Sequence, residues 1–587
     1  MARRITRRGA AGGGDRLTWW RDAKFGMFIH WGLYSVPAGV WKGKEIEGIG
    51  EWIACYARIS ADEYALLADR FRPYRFDAGK WVKIAKEAGM KYMVLTAKHA
   101  DGFAMYHSRC SEFNVVDATP FGRDVVRELC AACRRKGLRF GVYYSQDQDM
   151  HEPDAGAYSL KSADAASPEG FARYVRRKVR PQLTELLAGY GPIDIVWFDN
   201  PINTTRETAG DLKRLVRSLQ PRSIINGRIG FDLGDYKCLG DNQVSSGGVK
   251  GDWETCATMN DTWGYKKTDH NWKSAREMLR TLVDVTSKGG TYLLNVGPTG
   301  LGAIPRPSVT RLRAIGRWLN TNGDAIYGAK SSPYPYEFDW GRITAKGRTL
   351  YLHFFDWPKA AFRLNGLKNK VRRVYLPARP RDPVRFSQRH DAMSGQHLLE
   401  LRLPLRAPDR DVSVVVVETV GPVSVDGSLQ EQPNGVITLP AHVAEMHLAD
   451  YWGRMRMGQG GCICDWYSPD NRLCWKFRVF EPGKFDVYLD TRAVSIYGWK
   501  GGHKVEIAVA GRRITATLRT AGARSGNNRH YAEFSNRVGT VRLDSRGTFT
   551  LVLRALKINP QARGGLTVSC VRLVRATGGC QRRCQRT

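Results

Sequence analysis

The sequence predicts a multidomain α/β plus all-β protein: a (β/α)8-like barrel followed by a β-sandwich and a second β-sandwich or jelly-roll module. Over residues 1–330, short apolar runs alternate with amphipathic helical stretches. After residue 330 the helical periodicity disappears, and strand-length runs follow one another. The length of 587 residues also exceeds what one ordinary domain holds. We therefore expect a catalytic barrel at 1–330 and two β domains behind it.

The apolar runs in residues 1–330 are the predicted barrel strands. They are apolar throughout, which is typical of parallel strands that helices cover on both faces. Such strands separated by helices favour a barrel over an open sheet, and no glycine-rich phosphate loop follows the first run. The runs are GMFIHW at 26–31, KYMVLT at 91–96, RFGVYYS at 139–145, DIVWFD at 194–199, SIINGR at 223–228, WETC at 253–256 and TYLLNV at 291–296. The predicted helices are 78–88, 122–136, 168–189, 211–219 and 274–287.

The rest of the chain is predicted to form two β domains. Residues 331–420 carry strand-length runs at 349–355, 373–376, 397–403 and 412–418, which indicates an antiparallel β-sandwich. Residues 421–575 alternate clearly in KFDVYLDTRA at 484–493, which predicts a jelly-roll-like accessory module. This module is expected to bind carbohydrate or to brace the barrel, with bracing favoured. The ends of the chain, residues 1–17 and 576–587, are expected to be flexible.

Composition narrows the possible partners. The formal charge is +34, from 91 Lys and Arg against 57 Asp and Glu, so a polyanionic partner is conceivable. No nucleic-acid recognition motif is visible, so nucleic acid is disfavoured and a polyanionic glycan fits better. The 17 Trp and 24 Tyr suit sugar rings, although such residues also build cores. No apolar run approaches the ~20 residues of a membrane span.

Neither the N-terminus nor the cysteines decide the compartment. The segment MARRITRRGAAGGG is basic but lacks the apolar region of a complete signal peptide. A secreted or periplasmic location is the working expectation, and a cytoplasmic one stays open. Cys130 and Cys133 lie in a helical pattern, where two buried thiols are favoured over a metal pair. No metal and no cofactor are predicted. Disulfides are conceivable among Cys462, Cys464 and Cys474, or between Cys580 and Cys584.

Polar residues follow the predicted strands at the rim where barrels place their chemistry. Asp199 ends an apolar strand, and Glu254 stands in the sixth run. Two acids facing one pocket, without a metal cluster, predict glycoside hydrolysis. Arg228 is expected to keep Asp199 ionised, and Trp253 is expected to keep Glu254 protonated until it donates its proton.

Several long blocks carry a specific resemblance. They are WWRDAKFGMFIHWGLYSVP at 19–37, EWI at 51–53, AGMKYMVLTAKHADGF at 88–103, DIVWFD at 194–199 and LVDVTSKGGTYLLNVGPTGLG at 282–302. In this order they resemble glycoside hydrolase family 29, the α-L-fucosidases, over roughly residues 17–330. The resemblance implies a retaining, metal-free exo-hydrolase that releases terminal α-L-fucose from glycans or polysaccharides.

The resemblance also implies roles for individual residues. Asp199 matches the family's nucleophile, and Glu254 matches the acid/base in members where that residue aligns. Where the family usually has K-H-H-x-G-F, this chain has Ala100 in place of the second His. That departure keeps open a related L-galacto-configured or sulfated sugar, and an inactive glycan-binding homologue is the remaining alternative. The residues that match the sugar pocket are His30, Glu51, Trp52, His99, Tyr143, Trp197, Arg228 and Trp263.

Overall fold

The structure is a computed structural model, and it describes residues 15–155, 167–449, 454–458, 460–494, 500–520, 531–562 and 564–576. Most of the two segments that were expected to be flexible, 1–17 and 576–587, lies outside these residues, as do Cys580 and Cys584. Cys130 and Cys133 are buried free thiols in one helix, and Cys462, Cys464 and Cys474 are also free. Within the described residues, no helix combines the length and apolar character of a membrane span.

Eight parallel strands form the sheet of the first domain, and helices cover it. Each of the seven predicted runs contains a strand. The prediction missed the sixth strand, which is two residues long and leaves no apolar run in the sequence. The strands are β1 (Phe25–Ile29), β2 (Tyr92–Lys98), β3 (Arg139–Ser145), β4 (Ile195–Asp199), β5 (Ile224–Ile225), β6 (Lys237–Cys238), β7 (Trp253–Ala257) and β8 (Thr291–Val296).

The sheet curls until its two outermost strands meet. Its order is β5-β4-β3-β2-β1-β8-β7-β6, and every pairing in it is parallel. Next to β5 and β6, a bridge between Asn226 and Tyr236 links the two edges. The N–H of Asp235 also donates to the carbonyl of Ile225 at 2.7 Å. The closing edges are therefore the two shortest strands of the barrel.

The helices of the barrel begin where the sequence provides caps. The side chain of Asp77 accepts the N–H of Lys80, and Ser274 forms a reciprocal capping box with Glu277. The helix predicted from residue 211 begins earlier, because Thr205 caps it. The main helices are α1 (Ala78–Glu87), α2 (Val125–Lys136), α3 (Arg180–Gly189), α4 (Arg206–Leu219), α5 (Ala275–Ser287) and α6 (Arg306–Asn322). Shorter helices are Thr18–Ala23, Ile53–Tyr56, Ala61–Ala65 and Pro168–Tyr174, the last running through a π-turn at Val175–Val179 into α3.

Two antiparallel sheets follow the barrel. The first has the order β9-β10-β16-β12-β13 and the second β11-β15-β14, in a numbering that continues along the chain. Their strands are β9 (Gly341–Lys346), β10 (Thr349–Phe354), β11 (Phe362–Asn365), β12 (Val371–Leu376), β13 (Arg379–Pro383), β14 (Arg385–Asp391), β15 (Gln396–Arg402) and β16 (Ser413–Thr419).

The strands that follow, in the predicted C-terminal module, pair antiparallel, except that Leu429–Gln430 pairs parallel with Arg472–Val479. Along β23 the buried side chains are Phe485, Val487 and Leu489, which is the alternation that the sequence shows. Its strands are β17 (Leu429–Gln430), β18 (Val436–Pro440), β19 (Glu445–His447), β20 (Arg456–Met457), β21 (Ile463–Trp466), β22 (Arg472–Val479), β23 (Gly483–Val494), β24 (Lys504–Val509), β25 (Arg512–Thr517), β26 (Tyr531–Leu543), β27 (Gly547–Lys557), β28 (Leu566–Val568) and β29 (Cys570–Arg575).

The two β domains share one continuous apolar core. Leu350 and Leu364 of the first belong to the same buried cluster as Leu439 and Trp475 of the second. The main apolar cluster of the barrel is distinct from this one, and it also takes in Tyr351 and the segment 412–416 of the first β domain. The C-terminal module is therefore packed into the molecule rather than attached by a linker alone.

Candidate active site

The carboxylate of Asp199 lies at the end of β4 and is held by two donors. The hydroxyl of Tyr143 donates to Oδ2 at 2.9 Å, and Nη1 of Arg228 lies 2.9 Å from Oδ1. The backbone N–H of Asp199 donates to the side-chain oxygen of Gln146 at 2.9 Å. The chain then turns through Asn200 at a φ of 53°, which ends the strand. The strand thus ends in a paired and nearly buried carboxylate, whose side chain is 12% exposed.

Aromatic and imidazole rings form the wall beside this carboxylate. The ring of His99 stacks on that of Tyr143 with 5.4 Å between centroids, and His30 lies 5.6 Å from the same tyrosine. Trp263 packs 5.0 Å from His30, and Trp52 lies 6.1 Å from His99. These predicted residues come from strand ends and loops far apart in sequence, and the structure brings them together.

Both imidazoles are neutral near pH 7. Burial, partly offset by the hydrogen bond between Nδ1 and Asn295 at 2.8 Å, lowers the pKa of His30 to about 4. Burial, with the nearby His30 and Lys98, lowers the pKa of His99 well below its ordinary value. The Nδ1 atom of His99 is buried and has no hydrogen-bond partner among the described residues. A neutral ring with an unused nitrogen suits a sugar hydroxyl.

Glu51 contributes to the site from a short 3-10 helix, Gly50–Trp52. It is buried, and its Oε2 accepts the N–H of Gly264 at 2.8 Å and the hydroxyl of Thr262 at 3.3 Å. Burial raises the pKa of Glu51 to about 7. These bonds fix the segment that carries Trp263, so Glu51 positions the wall of the pocket.

The structure corrects the predicted location of Glu254. It is the second residue of β7, so it lies near the start of the strand and not at the rim, and it is fully buried. Its oxygens accept the indole N–H of Trp197 at 2.9 Å and the hydroxyl of Tyr92 at 3.1 Å. Burial raises its pKa to about 7, against the opposing effect of these hydrogen bonds. Glu254 was expected to face the sugar, but it lies below the rim, because it is the second residue of the strand and Trp197 and Tyr92 occupy its oxygens.

A second acid, which the sequence reasoning missed, does lie beside Asp199. Asp241 contacts Nη2 of Arg228, while Nη1 of the same guanidinium holds Asp199. The Asp241 side chain is 31% exposed, against none for Glu254, so it is open to a substrate. It follows β6 by three residues, and the rule that chemistry follows strand ends would have found it had β6 been recognised.

Trp197 lies between the buried Glu254 and the guanidinium of Arg228, which holds Asp199 and Asp241. Its indole donates downwards to Glu254, and the guanidinium of Arg228 packs over its ring at 4.9 Å from the centroid. Arg228 is thus fixed by an aromatic face and two carboxylates. Ala100 is fully buried beside His99, with its carbonyl accepting the N–H of Met150 at 3.1 Å.

A barrel with two rim carboxylates on one guanidinium, beside a wall of aromatic rings, defines the class of glycoside hydrolases. Comparison with known proteins gives the family. The family model described as Alpha-L-fucosidase matches residues 15–324, so the chain belongs to glycoside hydrolase family 29, the α-L-fucosidases. The identification made from the sequence blocks is thereby confirmed.

Relatives and solved structures agree with this membership. The chain is 33% identical over 376 residues to tissue alpha-L-fucosidase of Mus musculus, covering 60% of this chain and 79% of the relative. It is 32% identical over 381 residues to the Homo sapiens tissue enzyme, covering 60% and 77%. The alpha-L-fucosidase of Vibrio sp. strain EJY3 superposes with a TM-score of 0.83 at 29% identity, over 95% of this chain and 97% of that one. Alpha-L-fucosidase isoenzyme 1 from Paenibacillus thiaminolyticus superposes with a TM-score of 0.61 at 33% identity, over 69% of this chain and 99% of that one.

Proposed function

We propose that this protein is a retaining exo-α-L-fucosidase in which Asp199 is the nucleophile and Asp241 the acid/base. The observation that carries the proposal is the guanidinium of Arg228, which binds both carboxylates through its two terminal nitrogens. Two carboxylates on one guanidinium lie close together, which suits the separation of about 5–5.5 Å between the carboxyl groups of retaining glycosidases. Inverting enzymes need a wider gap for a water molecule.

In the first step Asp199 attacks the anomeric carbon of the sugar, and the bond to the leaving oxygen breaks. Asp241 donates its proton to that oxygen, which leaves as an alcohol. Asp199 and Asp241 both lie against the guanidinium of Arg228, so the carboxylate that Asp241 leaves behind when it gives up its proton forms next to a positive charge.

In the second step water replaces the ester. Once Asp199 is esterified it carries no charge, and Arg228 then favours the ionised form of Asp241. The carboxylate of Asp241 takes a proton from water, the hydroxide attacks the anomeric carbon, and Asp199 leaves as a carboxylate. The guanidinium of Arg228 thus lies beside Asp241 in both steps.

The wall residues supply the sugar subsite. The unused Nδ1 of His99 and the ring of His30 are available for hydroxyl groups, and Trp263 offers an apolar face for the methyl group of fucose. Neutral imidazoles can donate and accept, which suits an uncharged sugar.

The test combines turnover with product stereochemistry. With a nitrophenyl α-L-fucoside, Asp199→Ala is expected to abolish turnover while the protein stays folded. Proton NMR should show α-L-fucose as the first product, because two inversions retain configuration. In azide, Asp241→Ala should form the α-fucosyl azide. First release of β-L-fucose would refute the double displacement, and no turnover by the wild type on any fucoside would favour a glycan-binding homologue.

A related sugar is the second candidate, because Ala100 removes one imidazole from the expected pocket. A panel of α-L-fucoside, L-galactoside and sulfated fucosides separates the candidates by kcat/KM. The net charge of +34 makes the sulfated substrates a necessary part of the panel. Equal or better rates on unsulfated fucoside would exclude a sulfated sugar as the preferred substrate.

A further inference from the structure

The loop of residues 239–252, between β6 and β7, carries Asp241 and is tied to the barrel on one side. The N–H of Asn242 donates to the carbonyl of Cys256 at 3.0 Å. The side-chain oxygen of Asn242 accepts the N–H of Thr258 and the ammonium of Lys273, each at 2.9 Å. These bonds fix the residue that follows Asp241. In the second half of the loop the barrel adds a bond from the ammonium of Lys288 to the carbonyl of Ser245 at 2.7 Å and an ion pair between Arg21 and Asp252.

The second half of the loop rests on the C-terminal module. Arg492, on β23, donates from Nη1 to the carbonyl of Val244 at 2.7 Å. The N–H of Ser246 donates to the carbonyl of Gly460 at 2.7 Å, and its hydroxyl lies 3.1 Å from the sulfur of Cys462. Backbone and side-chain groups of the module thus form hydrogen bonds with polar groups of the loop.

Glycines let the two backbones touch. A Cβ added to Gly461 would lie 1.8 Å from the carbonyl oxygen of Gly247, and Gly461 has a φ of 78°. Added Cβ atoms on Gly247 and Gly248 would lie 2.5 and 2.4 Å from the side chain of His442. No L side chain fits these distances without movement, so the contact requires glycine on both sides.

Arg492 is the most constrained part of this contact. Its side chain is only 10% exposed, and its Nη2 pairs with Glu533 of the neighbouring strand β26. A buried guanidinium is costly unless it is paired and hydrogen-bonded, and here both conditions are met. The charge-assisted bond to Val244 therefore acts as a rigid link from β23 to a point three residues from Asp241.

We propose that Arg492 is a positioning residue for the acid/base, and that the C-terminal module is thereby a working part of the active site. The inference rests on the assignment of Asp241 made above. Residues 460–462 and 492 lie outside the range 15–324 that matches the family, so this support comes from a part of the chain beyond the matched domain.

The test uses substrates that differ in their need for a proton. The dinitrophenolate of a dinitrophenyl α-L-fucoside leaves without protonation. The sugar alcohol of a fucosyl disaccharide leaves only when the acid protonates its oxygen. In the full-length protein, Arg492→Ala is expected to lower kcat/KM about 10- to 100-fold on the disaccharide, since a misplacement near 1 Å has effects of that size. On the dinitrophenyl substrate kcat/KM should change less than about threefold. Glu533→Gln should lower the ratio of kcat/KM on the disaccharide to kcat/KM on the dinitrophenyl substrate by a smaller factor. This variant replaces Arg492→Ala in the test if Arg492→Ala does not fold.

Arg572→Ala is the matched control. Arg572 lies in the same module and pairs with Asp490 at 2.6 Å, but among the described residues it makes no hydrogen bond or ion pair with the loop 239–252. It should leave the substrate ratio unchanged, with melting temperatures recorded for every variant. Asp241→Asn should show the leaving-group dependence most strongly. If it does not, the assignment of Asp241 fails. If it does and both Arg492→Ala and Glu533→Gln keep the wild-type ratio, the positioning role is overturned.

Discussion

At the scale of the residue, Arg228 holds the site together because one guanidinium serves two acids. Its position was predicted from the strand end in SIINGR, and so was Asp199 from the carboxylate that closes an apolar strand. Asp241 was missed because its strand is two residues long. Periodicity needs several residues to be visible, so sequence alone could not mark that strand end.

The hydroxyl of Tyr143 gives the first prediction. It donates to Asp199 at 2.9 Å, and a hydrogen bond to a charged group is worth about 1.5–3 kcal/mol. Tyr143→Phe should therefore lower kcat/KM on a nitrophenyl α-L-fucoside by about 10- to 100-fold, with an unchanged melting temperature. Tyr144→Phe is the control, since that hydroxyl donates to Gln182 at 2.8 Å instead. An undiminished rate in Tyr143→Phe would mean that the phenol does not help Asp199.

Glu254 gives the second prediction, which concerns stability. Burial raises its pKa from 4.5 to about 7, so the folded state holds a proton that the unfolded chain releases. Its protonated form stabilises the protein fully below pH 4.5, and this contribution is lost as pH rises to about 7. Glu254→Gln removes the titration and keeps an oxygen for the Trp197 indole.

In urea unfolding, the variant should gain on the order of 2–3 kcal/mol over the wild type between pH 4.5 and pH 8. Glu51 titrates in both proteins, so the difference between them reports Glu254 alone. A difference that is constant with pH would contradict the raised pKa of Glu254.

At the scale of the element, most of the long strands and helices were predicted, but the 17-residue helix α6 and the two-residue strand β6 were not. Runs such as KYMVLT mark β2 because all of its residues are buried. Helix α6 was not predicted, although its sequence begins with Arg306 and Pro307, a favourable helix start. Its packing depends on a distant partner, which periodicity does not reveal.

Two helical glycines give the third prediction, in which the same substitution has opposite signs. An added Cβ on Gly316 of α6 would lie 1.8 Å from the carbonyl oxygen of Glu87, at the end of α1. On Gly210 of α4 it would meet only the end of the Arg214 side chain, at 3.3 Å. Alanine favours a helix by about 1 kcal/mol over glycine, so Gly210→Ala should raise the melting temperature or leave it unchanged.

Gly316→Ala should lower the melting temperature clearly, because backbone must move to admit the methyl group. Thermal unfolding followed by circular dichroism measures both variants. Equal shifts in the two would show that the approach of α6 to α1 is not as close as described.

At the scale of the whole molecule, the order of barrel and β domains was predicted, and their mutual packing was not. Hydrophobic patterning shows that a strand has a buried face but not which sheet covers it. The C-terminal module was expected to brace the barrel, and Arg492 shows where it contacts the loop that carries Asp241. The boundaries near 330, 420 and 575 stay predictions.

The shared core of the β domains gives the fourth prediction. Leu350 of the first and Leu439 of the second are both fully buried in one cluster. Each Leu→Ala change is expected to cost about 2–5 kcal/mol. In calorimetry both should lower the same transition, because the two domains unfold together. Leu282→Ala, in the other apolar cluster, is the control, and two distinct transitions for Leu350→Ala and Leu439→Ala would contradict a shared core.

The closure of the barrel has a consequence for turnover. Arg228 follows the edge strand β5 and Asp241 follows the edge strand β6, so their ion pair also connects the two edges at which the barrel closes. In the proposed double displacement, Asp199 loses its charge when it is esterified and regains it on hydrolysis, which changes the electrostatic interactions of Arg228 with the two carboxylates. The closure of the barrel between β5 and β6 has few inter-strand hydrogen bonds, because both strands are two residues long. We therefore expect backbone amide protons near β5 and β6 to exchange at different rates in the free enzyme and in the esterified enzyme.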